Sequence, residues 1–300
     1  APDLWRQILR MTAEANAAGA QMYPQVASRP IGFLTGLSAY HAFMRKPTYL
    51  NALAHLPLAE RVTAMRNPSV KAALLEEDDI RPEAPGSMEN VYGLFQRAAP
   101  VMYPLSSPVD YEPDIGDTLG ALASAAGRDA IEYLYDFMLE DGGTRFASLS
   151  TVDIAERMNV LREMLLDPHT ITGLSDAGAH VTLICDGTMP TTQLTYWARD
   201  RKKGEQIPVE FIVHKQTSRN AQLYGFVDRG TLEAGMRADV NVIDHGNLSV
   251  SAPVAHHDLP AGGTRLIQPV SGYLATICNG VMTRDRDKDT GARPGRLVRT

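Results

Sequence analysis

Cysteine is almost missing: two residues in 300, Cys185 and Cys278, cannot make a disulfide framework, and they fit a reducing compartment and a place in the core. No apolar run approaches the roughly 18 residues of a membrane-spanning helix, so no membrane partner is expected. The start Ala1-Pro2-Asp3 has neither the basic nor the apolar region of a signal peptide. Together these absences point to the cytoplasm. Excess positive charge is also lacking. A formal net charge of -6 leaves no electrostatic footprint for nucleic acid, and the run Arg199-Asp200-Arg201-Lys202-Lys203 reads as a solvated helix face. The eight histidines form no H-x-H, H-x-x-x-H or Cys-His spacing that would by itself close a metal site.

What is present is an ordinary globular composition, 44% hydrophobic and 21% charged, with enough apolar material for a real core. The α/β rhythm is visible at both ends of the first 228 residues. Leu4, Trp5, Ile8, Leu9 and Met11 recur at helical spacing after Asp3, a helix cap, and Gly19 closes the helix. Ala20-Gln21-Met22-Tyr23 reads as a strand stopped by Pro24, with the loop Gln25 to Pro30 at its carboxyl end. From 31 to about 127 the rhythm is lost and short helices are expected at Pro57–Arg66 and Pro68–Glu76. This stretch reads as one long insertion forming a lid or pocket wall. The rhythm returns at Ala130–Leu139, then a helix over Val152–Leu166, then the β-branched strand Thr170-Ile171-Thr172-Gly173-Leu174. Helices follow at Pro190–Lys203 and Val209–Lys215. After Gly230 the texture is all β: Ala238–Asp244 alternates, and Asn279-Gly280 is a hairpin turn between Ser271–Cys278 and Val281-Met282-Thr283. The charges from Arg284 to Asp289 suit an exposed loop.

The stretch Gly173-Leu174-Ser175-Asp176-Ala177-Gly178-Ala179-His180 carries the strongest chemical signal. In parallel α/β folds catalytic groups lie at the carboxyl ends of strands, where a carboxylate can bind a metal or accept a proton. Asp176 is equally suited to capping a following helix, but the small residues after it allow close approach of a ligand. His180 reads either as a ligand orienter or as a polar residue satisfied by the backbone. Arg29 could grip a substrate carboxylate bidentately or fold back on carbonyls as a structural arginine. Cys185 is read as a small core residue, and Asp186 and Asp200 as turn and helix-surface residues.

These stretches resemble the carboxyl-terminal half of the D-aminoacylases, the N-acyl-D-amino-acid deacylases of the amidohydrolase superfamily. The resemblance rests on Gly173 to Asp176 with His180, on Glu210 through Thr217 to Gly225, and on Asp228-Arg229-Gly230-Thr231-Leu232-Glu233-Ala234-Gly235-Met236-Arg237-Ala238-Asp239-Val240. Cys278-Asn279-Gly280 and Thr290-Gly291-Ala292-Arg293-Pro294-Gly295-Arg296 complete it. It implies a mixed α/β architecture, the carboxyl-terminal part of a (β/α)8 (TIM) barrel over residues 1–228, with part of a small β-sandwich domain over 229–300. It implies hydrolysis of the amide bond of an N-acyl-D-amino acid, with zinc as cofactor and Asp176 as both general base/acid and metal ligand. Tyr23, Arg29 and His180 fall where substrate is contacted. The family's H-x-H, cysteine and later histidine ligands would all precede Ala1, so the chain by itself is expected to be inactive, with the N-terminal half of the barrel as its partner. A cyclic-amide hydrolase of the dihydropyrimidinase kind and a non-catalytic barrel remnant are the competing readings.

Overall fold

The computed structural model describes residues 3–298 apart from 83, 151–153, 174, 176, 177 and 179, and leaves the side chains of 89 and 154–157 undescribed. Helix α1 (Leu4–Ala17) ends as expected, with Gly19 in the left-handed region at φ 99° and Ala20 N–H donating to the Ala15 carbonyl. Its Asp3 side chain makes no capping bond and instead accepts from Arg6 at 2.6 Å. The strand expected over Ala20–Tyr23 is displaced. Pairing begins only at Pro24, whose carbonyl accepts from Ile171 N–H, and β1 is Gln25–Ala27. Proline can open a strand because its carbonyl still accepts, although it has no N–H to give.

Strand β1 runs parallel to β5 (Ile171–Gly173), with Gln25 opposite Ile171 and Ala27 opposite Gly173. Gly173 is required here, because a Cβ would overlap the Gln25 side chain. Between the two strands lies the inserted body. It contains β2 (Gly32–Thr35), α2 (Leu58–Met65), α3 (Pro68–Glu76), α4 (Tyr92–Ala98), β3 (Tyr103–Pro104), α5 (Leu119–Ala125), α6 (Ala130–Met138) and β4 (Ala147–Ser150). This body runs past the expected limit at 127. Helix α6 does not resume the α/β rhythm: Leu134, Tyr135, Phe137 and Met138 pack into one core with Leu37, Phe43, Met65, Leu74 and Phe95. Strand β4 closes the body by pairing antiparallel with both β2 and β3.

A second core lies behind the parallel pair. Val26 of β1 and Met158 and Leu165 of α7 (Ile154–Leu166) meet Leu194 and Trp197, with Ile212 of α9 (Val209–Gln216) and Leu248. Helix α8 starts at Met189–Thr192 and continues as a π-helix over Gln193–Asp200; α10 (Ser218–Leu223) follows α9. The run 199–203 is not the solvated face it reads as in sequence. Arg201 is buried, its Nη2 lies 3.0 Å from Glu112 Oε1 of the inserted body, and its guanidinium stacks over the Trp197 ring at 4.9 Å. A carboxylate supplied from a segment 89 residues away draws it inward.

The carboxyl-terminal residues form an antiparallel sheet in the order β13-β12-β11-β6, from β6 (Val240–Ile243), β11 (Tyr273–Cys278), β12 (Val281–Asp285) and β13 (Lys288–Asp289). Short pairs β7 (Ser249–Val250) with β10 (Val270–Ser271) and β8 (Val254–His256) with β9 (Arg265–Ile267) accompany it. The Asn279-Gly280 hairpin is present, both residues having positive φ, 52° and 76°. Asp239 holds its tip by accepting Asn279 N–H at 2.7 Å. Arg284 to Asp289 forms a second hairpin rather than an open loop, since Arg286 and Asp287 both adopt positive φ and Asp287 accepts from the Gly272 and Tyr273 N–H groups.

Candidate functional site

The carboxyl ends of β1 and β5 lie side by side because the two strands are parallel and in register. After β1, Ser28 is fully buried, donating to the Met189 carbonyl at 3.0 Å while its own carbonyl accepts from Trp197 Nε1 at 2.6 Å. These two bonds lash the end of β1 to α8. After β5 comes the corner that carries Asp176, which lies outside the described residues together with 174, 177 and 179. Ser175 and Gly178 are exposed, as is His180 at φ 49°, whose carbonyl accepts from Leu183 and Ile184 N–H at 2.7 and 2.9 Å. The histidine thus opens a tight turn, and its ring is left in solvent. Downstream, the loop is held from both sides: Leu34 N–H of β2 donates to the Leu183 carbonyl, and Leu266 N–H of β9 donates to the Val181 carbonyl.

Arg29 lies at the carboxyl end of β1 but is turned into the protein, 6% exposed. Its Nη2 is 3.1 Å from Asp186 Oδ1 and 3.1 Å from the Cys185 carbonyl, with Thr188 Oγ1 and Gln268 Oε1 each at 3.3 Å. The guanidinium stacks 4.4 Å over the Tyr111 ring, whose hydroxyl accepts from Gln268 Nε2 at 2.9 Å. Burial holds the Tyr111 phenol above its usual pKa, against the opposing influence of Arg29. A cavity of about 50 Å³ adjoins this group, bounded by Arg29, Tyr111, Ser148, Cys185 and Asp186. One arginine therefore ties β1, the inserted body, the loop after β5 and the β region together.

Asp186, read from sequence as a turn residue, is 2% exposed and carries the countercharge. The Arg29 guanidinium beside it offsets the cost of burying its charge. Cys185 fits the core reading: burial pushes its thiol up to about 11, far from the depressed value of a nucleophile.

Tyr23 is not brought to this cluster. It precedes β1, at the opposite end of the strand from Arg29, and is half-buried beneath the Arg219 guanidinium at 5.3 Å. Arg219 also donates to the Pro168 carbonyl, on the amino-terminal side of β5. The displaced strand start explains the separation, since the whole of β1 lies between the two residues. Tyr111, Asp186 and Gln268, the partners that position Arg29, have no sequence signal of their own.

Among the described residues no three His, Cys, Asp or Glu side chains converge on one point. They do not make up the donor set of a zinc site.

The described residues form a mixed α/β chain in which one parallel strand pair has its carboxyl ends flanked by a long inserted body. Comparison with known proteins gives it a family. The pattern of the amidohydrolase family matches residues 6–284, and the chain belongs to that family. Uncharacterized proteins of Mycobacterium bovis and Mycobacterium tuberculosis are 32% identical over 146 residues, 48% of this chain and 23% of theirs. An imidazolonepropionase of Paracoccus denitrificans is 30% identical over 163 residues, 52% of this chain and 39% of its own. The chain thus spans well under half the length of the curated relatives it matches. Among solved structures it is similar to a D-aminoacylase (20% identity, TM-score 0.34, 64% of this chain and 36% of that one). A D-aminoacylase mutant in complex with copper chloride is similar at 17% identity and TM-score 0.37, over 81% of this chain and 46% of that one. No helix among the described residues is long and apolar enough to cross a membrane.

Proposed function

We propose that this chain supplies the carboxyl-terminal part of the active site of an amidohydrolase that cleaves the amide bond of N-acyl-D-amino acids. The observation that carries the reading is the parallel β1–β5 pair, whose carboxyl ends lie together beside the corner bearing Asp176 in a chain of the amidohydrolase family. In this reading residues 1–228 belong to a (β/α)8 barrel, 229–300 to a small β-sandwich domain, and the partner is the N-terminal half of the barrel. The protein works in the cytoplasm on a small-molecule substrate. Zinc is the expected metal in this reading, with Asp176 adding one ligand and the N-terminal half of the barrel the others.

The chemistry assigned to this chain is proton transfer. As water adds to the amide carbonyl, the Asp176 carboxylate accepts its proton and delivers it to the leaving nitrogen, so that the C–N bond breaks to a free amine and a carboxylate. His180 lies four residues on, exposed on the same corner, where it can contact substrate. Arg29, held by Asp186, acts as a positioning residue for the loop that follows the corner.

The test combines the chain with an upstream half and assays a panel of N-acyl-D-amino acids beside cyclic imides. Asp176→Ala is expected to lower turnover at least about 100-fold, as loss of a general base does. Retained deacylation would remove Asp176 from the mechanism. The match to an imidazolonepropionase favours a second reading, hydrolysis of a cyclic amide, and preference for the imides would establish it. Activity on neither class, with no metal taken up, would leave the non-catalytic remnant.

A further inference from the structure

The antiparallel pair β8–β9 has one covered edge and one open edge. Leu266 N–H of β9 donates to the Val181 carbonyl at 2.7 Å, so this residue turns its main-chain groups away from β8. In antiparallel pairs, facing residues exchange both main-chain bonds or neither. Ala255, which faces Leu266, therefore turns its own N–H and C=O away from β9. The pair forms a sheet of two strands, and neither group of Ala255 has a partner among the described residues. Both strands are held in place: Ser251 N–H donates to the Pro269 carbonyl at 2.9 Å and Thr182 Oγ1 to the Thr264 carbonyl at 2.7 Å.

A groove of about 450 Å³ runs along β8. The chain from 251 to 255 forms one wall, and the inserted body forms the other at 105–107 and 144–146. No residue of β9 lines it, so the groove lies at the free edge of β8 rather than on a face of the pair. Leu105, Phe146 and Ala255 in its lining belong to one small apolar cluster. Val254, in the same lining, is 47% exposed. An open edge beside an apolar groove is the arrangement that takes up an extended peptide, with main-chain bonds giving affinity and the groove selecting side chains. Charge narrows the choice. Arg145 in the lining is 3.4 Å from both Glu140 and Asp141, so two carboxylates meet one guanidinium there. His257, also in the lining, is hydrogen-bonded to Thr264 Oγ1 at 2.9 Å.

We propose that this groove is a docking site for an extended peptide segment of a partner protein, apolar at its centre and basic at its flanks. The segment adds a strand to the free edge of β8. Ala255 N–H donates to a carbonyl of the segment and the Ala255 carbonyl accepts one of its N–H groups, while an apolar side chain covers Leu105 and Phe146. The site does not rest on the hydrolase reading.

The test titrates the 300-residue chain with three acetylated, amidated pentapeptides: KVTVK, EVTVE, and KVTVK N-methylated at its three central residues. KVTVK is expected to bind with a Kd of about 0.5 mM, and to slow hydrogen exchange over 251–257. EVTVE should bind at least about threefold more weakly. The N-methylated peptide keeps the side chains but cannot donate at its centre, and should bind at least about tenfold more weakly. Ala255→Pro removes an N–H that the β8–β9 ladder does not use, so it should abolish binding while the fold persists. Equal affinity for the methylated peptide or for EVTVE would overturn the proposal. So would absence of KVTVK binding up to about 5 mM, ten times the expected Kd. A dimer of the chain in analytical ultracentrifugation that Ala255→Pro dissolves would give the edge to a second copy and likewise overturn it. The peptide panel on the unaltered chain decides the matter even if the variant does not fold.

Discussion

Replacing Arg29 by methionine would keep most of the volume and remove the charge. The change deletes an ion pair at 3.1 Å, hydrogen bonds to Cys185, Thr188 and Gln268, and the stacking on Tyr111. It also strands Asp186, whose side chain is 3% exposed, without its guanidinium. Removing one partner of a buried pair costs about 3–5 kcal/mol, and loss of a desolvated cation–π contact adds up to about 2 kcal/mol. Arg29→Met is therefore expected to destabilise by about 4 kcal/mol. Asp186→Asn should cost less, about 3 kcal/mol, because neutral acceptors still face Nη2. Since each single change leaves a buried charge that the double change removes, the double variant should be more stable than the sum of the singles implies, by about 2 kcal/mol or more. Urea unfolding of the four proteins, followed by near-UV circular dichroism, measures the cycle. A cost under about 1 kcal/mol for Arg29→Met, or additivity within about 0.5 kcal/mol, would refute the buried-clamp reasoning and return Arg29 to substrate binding.

Lys215 is buried, donating to the Leu165 carbonyl and to Thr170 Oγ1, and burial lowers its pKa from 10.5 to about 8. Between pH 10.5 and 8 the unfolded chain binds the proton first, so stability should fall as pH drops through that window and level off below it, a slope that Lys215→Met should flatten in chemical denaturation. His41 is held neutral, its pKa lowered from 6.5 to about 3 by burial and, secondarily, by Arg61, while its Nδ1 accepts Phe43 N–H. Its ring resonances should not titrate above about pH 4, and its share of stability should be lost as pH falls from 6.5 towards 3; a native-state NMR titration near 6.5 would disprove this. Gly173→Ala should force β1 and β5 apart through contact with Gln25, costing about 1–3 kcal/mol in thermal unfolding; a neutral result would mean that the pair has slack.

Local signals served where local physics decides. The α1 stripe, Gly19 at its end, the α3 bounds Pro68–Glu76 and the Asn279-Gly280 hairpin were legible because spacing, caps and positive φ act within a few residues. The strand near Tyr23 was misplaced because Pro24 stops a helix or a central strand but can open one, and only the partner strand, β5, shows which it does. The strand leading to Asp176 was legible, but the Arg29–Asp186 pair beside its carboxyl end was not.

By itself the sequence determined the helices with clean periodicity, the turns with obligatory glycine or asparagine, membership of the amidohydrolases at large, and the residue types available for chemistry at Gly173–His180. Only the tertiary structure decided that α6 belongs to the inserted core, that Arg201 turns inward to Glu112, that Tyr23 and Arg29 lie at opposite ends of β1, and that Arg29 spends its charge on Asp186. The reason is common to all four. Burial of a charge or an aromatic ring is stable only when a complementary group arrives from elsewhere in the chain, and those partners lie far away in sequence: 89 residues from Glu112 to Arg201, 239 from Arg29 to Gln268.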